Sequence, residues 1–187
     1  KKIDYYKIKQ TLKVKTLSDA LNALEQVLAC FPDDFFKQLD YGGTKGLRIY
    51  LSGNITAENS DMINDPSGFV NIINNYNVMV LNCSYSWDFS YTVSHEISHL
   101  IDQRLAFIHT YNDKSEFSEE KWNSFNPDSF SYDDPYATYN PDDSSNHISG
   151  YFIDSYGMTF ATEDRSEIFG TAIDDYINGI YDDARFT

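Results

Sequence analysis

Ser90-Tyr91-Thr92-Val93-Ser94-His95-Glu96-Ile97-Ser98-His99-Leu100-Ile101-Asp102 carries two patterns at once. Val93, Ile97, Leu100, Ile101 and then Leu105 recur at the spacing of one helical face, so a helix is expected from Ser90 to about Phe107, capped by Asp88 or Ser90. On that helix His95 and His99 stand at i and i+4, about one turn apart, and both imidazoles can reach one ion. Glu96 sits between them. Two neutral imidazoles and one further protein ligand leave the fourth position of a zinc ion open to water, whose pKa falls to about 7. A carboxylate beside the pair is placed to take that proton and return it to a leaving amine. The expectation is a zinc site with His95 and His99 as ligands and Glu96 as the catalytic base. The competing reading is a helix whose histidines are merely solvated or satisfied in a core.

The third ligand has to come from elsewhere. No Gly and His follow His99 at the offsets of the longer metzincin motif. Cys30 and Cys83 form no Cys-x-x-Cys pair and read as two buried free thiols. Glutamate is then favoured, and beyond the acidic middle of the chain only Glu163 and Glu167 remain, at i and i+4 on one face of a helix expected from about Thr162 to Tyr181. One can bind the metal while the other orients a histidine. Their spacing alone does not say which.

The run His95-Glu96-Ile97-Ser98-His99-Leu100-Ile101-Asp102, followed by Ser155-Tyr156-Gly157, Glu163 and Glu167, resembles the gluzincin zinc peptidases typified by the anthrax lethal factor catalytic domain and the clostridial Pro-Pro endopeptidases. In that family a Tyr precedes the ligand Glu by seven residues and a second Glu follows it by four, which are the spacings of Tyr156, Glu163 and Glu167. The resemblance implies that Glu163 is the third ligand, that Glu167 stands behind a ligating histidine, and that Tyr156 donates to the oxyanion of the tetrahedral intermediate. A hydroxyl placed where charge develops contributes about 3 kcal/mol. Also implied are one zinc per chain, endopeptidase activity on a peptide or protein, and a secreted or cell-surface location. Close similarity covers about 25 residues, while the layout of an early helix ending near Phe31-Pro32 and then a strand is similar more loosely. The chain departs from the family in a longer separation between His99 and Glu163, consistent with an insertion, and in Ser98 where Gly is often found. Specificity for proline-containing sites does not carry over.

With 187 residues, 41% of them hydrophobic, the chain can bury a real core in one domain without disulfide stapling. Its net charge of -15 repels phosphate backbones and anionic membranes, so no nucleic-acid partner is expected and a neutral or basic peptide is better tolerated. Acidic loops kept only for solubility would give the same balance. No apolar run approaches the roughly 18 residues of a membrane span, and Lys1-Lys2-Ile3-Asp4 does not begin a secretory signal, so the chain reads as a mature or trimmed segment. Composition says nothing of oligomeric state.

The remaining elements fall in place around the motif. A helix is expected from about Ser18, its N-cap, to Cys30 with Leu21, Leu24, Val27 and Leu28 on one face, then a short Phe35-Phe36-x-x-Leu39 helical piece. Leu47 to Leu51 and Tyr76 to Leu81 read as strands, the second as a sheet edge on which an extended peptide could add, and residues 53–68 as a loop. From Tyr111 to Asp143 nine acids and three prolines mark a long excursion, of which Glu116 to Trp122 could be helical. Its Asn126-Pro127 and Tyr132-Asp133-Asp134-Pro135 lack calcium-loop spacing and read as turns. On the last helix Ile168, Phe169, Ala172, Ile173, Tyr176 and Ile177 are expected to face inward. His109 and His147 are read as having no metal duty, and Asp102 either orients a ligand or makes a surface contact. The fold class expected is α+β and zincin-like, one catalytic domain over 1–187. An N-terminal lobe of about 1–107 holds a small twisted sheet and the motif helix, an acidic excursion spans about 108–147, and a mostly helical C-terminal lobe spans about 148–187. The alternative is a non-catalytic zinc-containing module whose acidic loop binds a protein.

Overall fold

The computed structural model describes residues 6–9, 14–57, 66–84, 89–111, 117–128, 130–132 and 151–181. In chain order the elements are β1 (Tyr6–Lys9), α1 (Val14–Leu28), α2 (Phe35–Gln38), β2 (Leu47–Ser52), β3 (Asn54–Ala57), β4 (Gly68–Ile73), β5 (Tyr76–Asn82), α3 (Phe89–Tyr111), α4 (Glu119–Asn123) and α5 (Ala161–Ile177). The fold is mixed α+β, with a three-stranded sheet and a separate two-stranded ribbon of β1 and β3.

Val78-Met79-Val80-Leu81 is apolar on both sides of a strand, the pattern of a strand covered on both faces. β5 accordingly lies at the centre of the sheet, parallel to β2 and antiparallel to β4. This corrects the expectation that Tyr76 to Leu81 is an edge. The edges are β2 and β4, and β4 joins β5 through Asn74 and Asn75 at φ 51° and 64°, the left-handed pair that a two-residue hairpin requires. Met79 and Leu81 point to the main core with Ala20, Leu24 and Val27 of α1 and Phe89, Val93, Ile97 and Leu100 of α3. Val78 and Val80 point the other way, to Ile55 of β3.

Phe31, in the turn after α1, stacks on Phe35 at 4.6 Å and lies 6.1 Å from Phe169, tying the first helix to the last. Helix α5 ends where Gly179 turns left-handed at φ 73°, with the Ile180 amide bonded to Asp175 O and the Gly179 amide to Tyr176 O. That pair of bonds closes the final carbonyls and stops the helix before Tyr181.

Several expectations are corrected. α1 starts at Val14, so Ser18 is an exposed residue inside it rather than its cap, and Leu21 faces solvent at 49% exposure while Ala20 takes the inward place. Residues 54–57, expected in a loop, form β3. On α5, Phe169, Ile173 and Ile177 pack on the core, but Tyr176 is 59% exposed and Ala172 is also exposed. Apart from Gly170, the deeply buried residues of α5 are polar: Glu163, Asp164, Ser166, Glu167, Thr171 and Asp175. Both cysteines are free, Cys83 buried and Cys30 half-buried. Asp88 and His147 lie outside the described residues, as do 133–150 of the excursion. No helix among the described residues is long and apolar enough to cross a membrane.

The described part of the excursion folds back on α5. Ser118 caps α4 by accepting from the Lys121 amide at 3.2 Å, and the Phe130 amide bonds Pro127 O at 2.8 Å in the expected turn. Trp122 Nε1 and the Tyr132 hydroxyl both donate to Asp164 Oδ2, at 3.0 and 2.6 Å.

The facing of α1 is open to a direct check. Leu24→Ala is expected to cost about 3 kcal/mol in urea unfolding and Leu21→Ala less than about 0.5 kcal/mol. Equal losses would show that the helix is rotated from the orientation described.

Candidate metal centre

Helices α3 and α5 pack side by side and bring three donor atoms together. His95 Nε2 lies 3.1 Å from Glu163 Oε2 and 3.1 Å from His99 Nε2, and His99 Nε2 lies 3.2 Å from Glu163 Oε2. A tetrahedral zinc ion with bonds of about 2.05 Å holds its ligand atoms about 3.3 Å apart. The three donors therefore form a nearly equilateral face of the right size, and they are the one group of three or more such residues among those described that could hold a metal ion.

The charges agree with the geometry. Burial pulls the His95 imidazole down, but contacts with Glu163 and Glu167 and the charge of Glu96 outweigh it and push its pKa up to about 10. Burial also raises the Glu163 carboxyl, yet the two histidines bring it down to about 2. Positive charge is in demand where the three donors meet, as a cation site requires.

Each of the two histidines is backed by a second contact. His99 Nδ1 is 3.2 Å from Ser166 Oγ, and His95 Nδ1 is 3.1 Å from Glu167 Oε1, at hydrogen-bond distance though out of line with the ring N–H. Such contacts leave each Nε2 facing the point where the three donors meet. One helix face thus supplies Glu163, Ser166 and Glu167, at i, i+3 and i+4. The sequence reading had the two glutamates in these positions and missed Ser166, whose only signal is that it shares their face.

Glu96 points from the ligand helix into a cleft of about 450 Å³. It is 5% exposed, and its Oε2 has no hydrogen-bond partner among the described residues. Burial raises its pKa and the histidines' charges partly offset the rise, a direction that favours a proton acceptor working near neutral pH. β4 closes over it because residue 68 is glycine: a Cβ there would sit 2.8 Å from Glu96 Oε1. Gly68, Phe69 and Val70 of this edge strand border the cleft opposite Thr162 and Arg165 of α5. Tyr156 also lines it, its ring 6.1 Å from that of His95.

Of the other expected residues, Asp102 lines the cleft and His109 does not. Asp102 is buried and accepts Arg165 Nε on both oxygens at 2.9 and 3.0 Å, while the same guanidinium reaches Glu119 of α4 at 2.7 and 3.1 Å. It is neither a ligand orienter nor a surface contact. His109 is exposed near the end of α3, beside Phe117. Compared with known protein families, curated proteins and solved structures, the chain matches none.

Added zinc gives a test that needs no substrate. Glu163→Ala is expected to weaken its binding by more than about 100-fold in competition with a chelator, and Glu167→Ala or Ser166→Ala by about 10- to 100-fold. The reverse order for the two glutamates would exchange their roles.

Proposed function

We propose that this chain is a zinc-dependent endopeptidase of zincin-like fold, with His95, His99 and Glu163 as ligands, Glu96 as general base and Tyr156 as oxyanion donor. The observation that carries the reading is Glu96, a buried carboxylate with one unpartnered oxygen, set beside three converging donors at the floor of an open cleft. A structural zinc site is normally closed by four protein ligands, whereas only three converge among the described residues. Zinc, when bound, polarises a carbonyl and lowers the pKa of water to about 7.

The chain's own residues account for the rest. Glu96 takes the proton of the attacking water and passes it to the departing amine, a transfer favoured by its raised pKa and its place on the ligand helix. Tyr156 stands at the cleft wall beside His95, where its hydroxyl can donate to the oxyanion that forms on attack. A substrate in extended form can pair with the backbone of β4, the sheet edge bordering the cleft. This moves the site of strand addition from β5 to β4. The layout of small sheet, motif helix and ligand-bearing last helix suits the gluzincin resemblance, and a secreted or cell-surface setting rests on that resemblance alone.

The base assignment separates an enzyme from a binding module. Glu96→Ala is expected to keep zinc and fold while cleavage of a mixed peptide library falls by roughly three decades or more, and Tyr156→Phe to keep zinc and lose roughly two to three decades. Chelator should abolish wild-type cleavage. Full activity in the Glu96 variant would sink the mechanism, and a wild type that holds zinc yet cleaves nothing would favour the module.

A further inference from the structure

The sheet edge that borders the cleft is open over only part of its length. The Asn82 amide bonds Ser67 O at 2.8 Å, and in the antiparallel register of β4 and β5 residues 67, 69, 71 and 73 therefore turn their backbone groups toward β5, whereas Gly68, Val70 and Ile72 turn theirs outward. No described strand pairs with β4 on that side. One of the three outward amides is already taken, because Asn71 Oδ1 accepts from the Ile72 amide at 2.8 Å. Ahead of Gly68 the next outward position is Pro66, which has no amide to give, and its carbonyl accepts from Asn82 Nδ2 at 3.4 Å. That leaves Gly68 and Val70 as the outward residues of β4 that can both give and accept a bond. The cleft ends at the same place: Gly68, Phe69 and Val70 border it, and Asn71 and Ile72 do not.

Resting on the peptidase reading, we propose that Pro66 and Asn71 are the two stops of the strand-addition site, confining the backbone pairing of a substrate to Gly68 and Val70. An antiparallel peptide exchanges two bonds with each outward residue, so it makes four bonds there and is held over three residues. Its residue across from Gly68 lies nearest the base, since a Cβ on Gly68 would meet Glu96 Oε1 at 2.8 Å. The residue across from Val70 is two positions toward the peptide's N-terminus, and a residue across from Ile72 finds a carbonyl but no open amide. Backbone recognition is thus short and close to the bond that is cut, and selectivity beyond it falls to side chains. The same stops deny the rest of an exposed edge to a second chain, the usual hazard of an unpaired strand.

Asn71→Ala removes one stop without touching a metal donor. In the free zinc-loaded protein, hydrogen exchange at the Ile72 amide, corrected for intrinsic rate, is expected to quicken about 5- to 10-fold in this variant and to stay within about 2-fold in Asn71→Asp, whose carboxylate still accepts. With capped peptides lengthened one residue at a time toward the N-terminus from a bond that the wild type cuts in a mixed library, KM should fall until the residue across from Val70 is present and then level off. In Asn71→Ala it should go on falling by about 3- to 10-fold over the next two residues, while Asn71→Asp should level off where the wild type does. A wild type that gains as much from those two residues, or an Asn71→Ala that levels off at the wild-type length, would overturn the proposal. So would unchanged Ile72 exchange, which needs no substrate: a protein that cleaves nothing defeats the peptidase reading and leaves that measurement standing.

Discussion

Glu96, Asp102, Glu163, Asp164 and Glu167 all lie buried on α3 and α5, and a carboxylate taken out of water is tolerated only when it is paired or hydrogen-bonded. Asp102 is answered by Arg165, Asp164 by Trp122 and Tyr132, Glu163 by two histidines, and Glu167 by His95. Among the described residues Glu96 Oε2 keeps no partner, and neither does the second oxygen of Asp164, Oδ1. That demand explains why a polar segment is folded onto α5 at all. Trp122 and Tyr132 bring the indole and phenol that bond Asp164 Oδ2, and Glu119 brings the carboxylate that shares Arg165 and borders the cleft.

What could be read from the sequence follows the same logic. The apolar stripe of α3, the i and i+4 histidines and the unbroken run of β5 are local patterns, and each reappears in the structure. The register of α1 was ambiguous because the expected face of Leu21, Leu24, Val27 and Leu28 and the buried face of Ala20, Leu24 and Val27 share Leu24 and Val27, and the small Ala20 gives a weak signal. β3 and β4 were missed since each is short and polar in part; the consecutive asparagines between two apolar runs were the clue to the hairpin.

The error on α5 is of another kind. Apolar residues were taken as the inward face, yet the inner face of this helix meets a polar site, and there burial follows function rather than hydrophobicity. Ser166 was silent for a related reason. A single hydroxyl has meaning only once its distance to a histidine is known, and Ser166 belongs to no spaced motif.

Five successive residues of α5 have five separate duties. Glu163 faces the other metal donors, Asp164 holds the folded-back segment, Arg165 bridges Asp102 and Glu119, Ser166 backs His99, and Glu167 backs His95. Adding or deleting one residue inside a helix turns everything beyond it by about 100°, which would trade the donor side for the side that grips the excursion. The connection before α5 has no helical phase of this kind to keep, and its described residues meet the helix at separate points, such as Trp122 and Tyr132 on Asp164. Divergence among relatives of this chain should therefore collect as length changes ahead of Phe160, while the 163–167 run tolerates substitution at best and never a shift in phase.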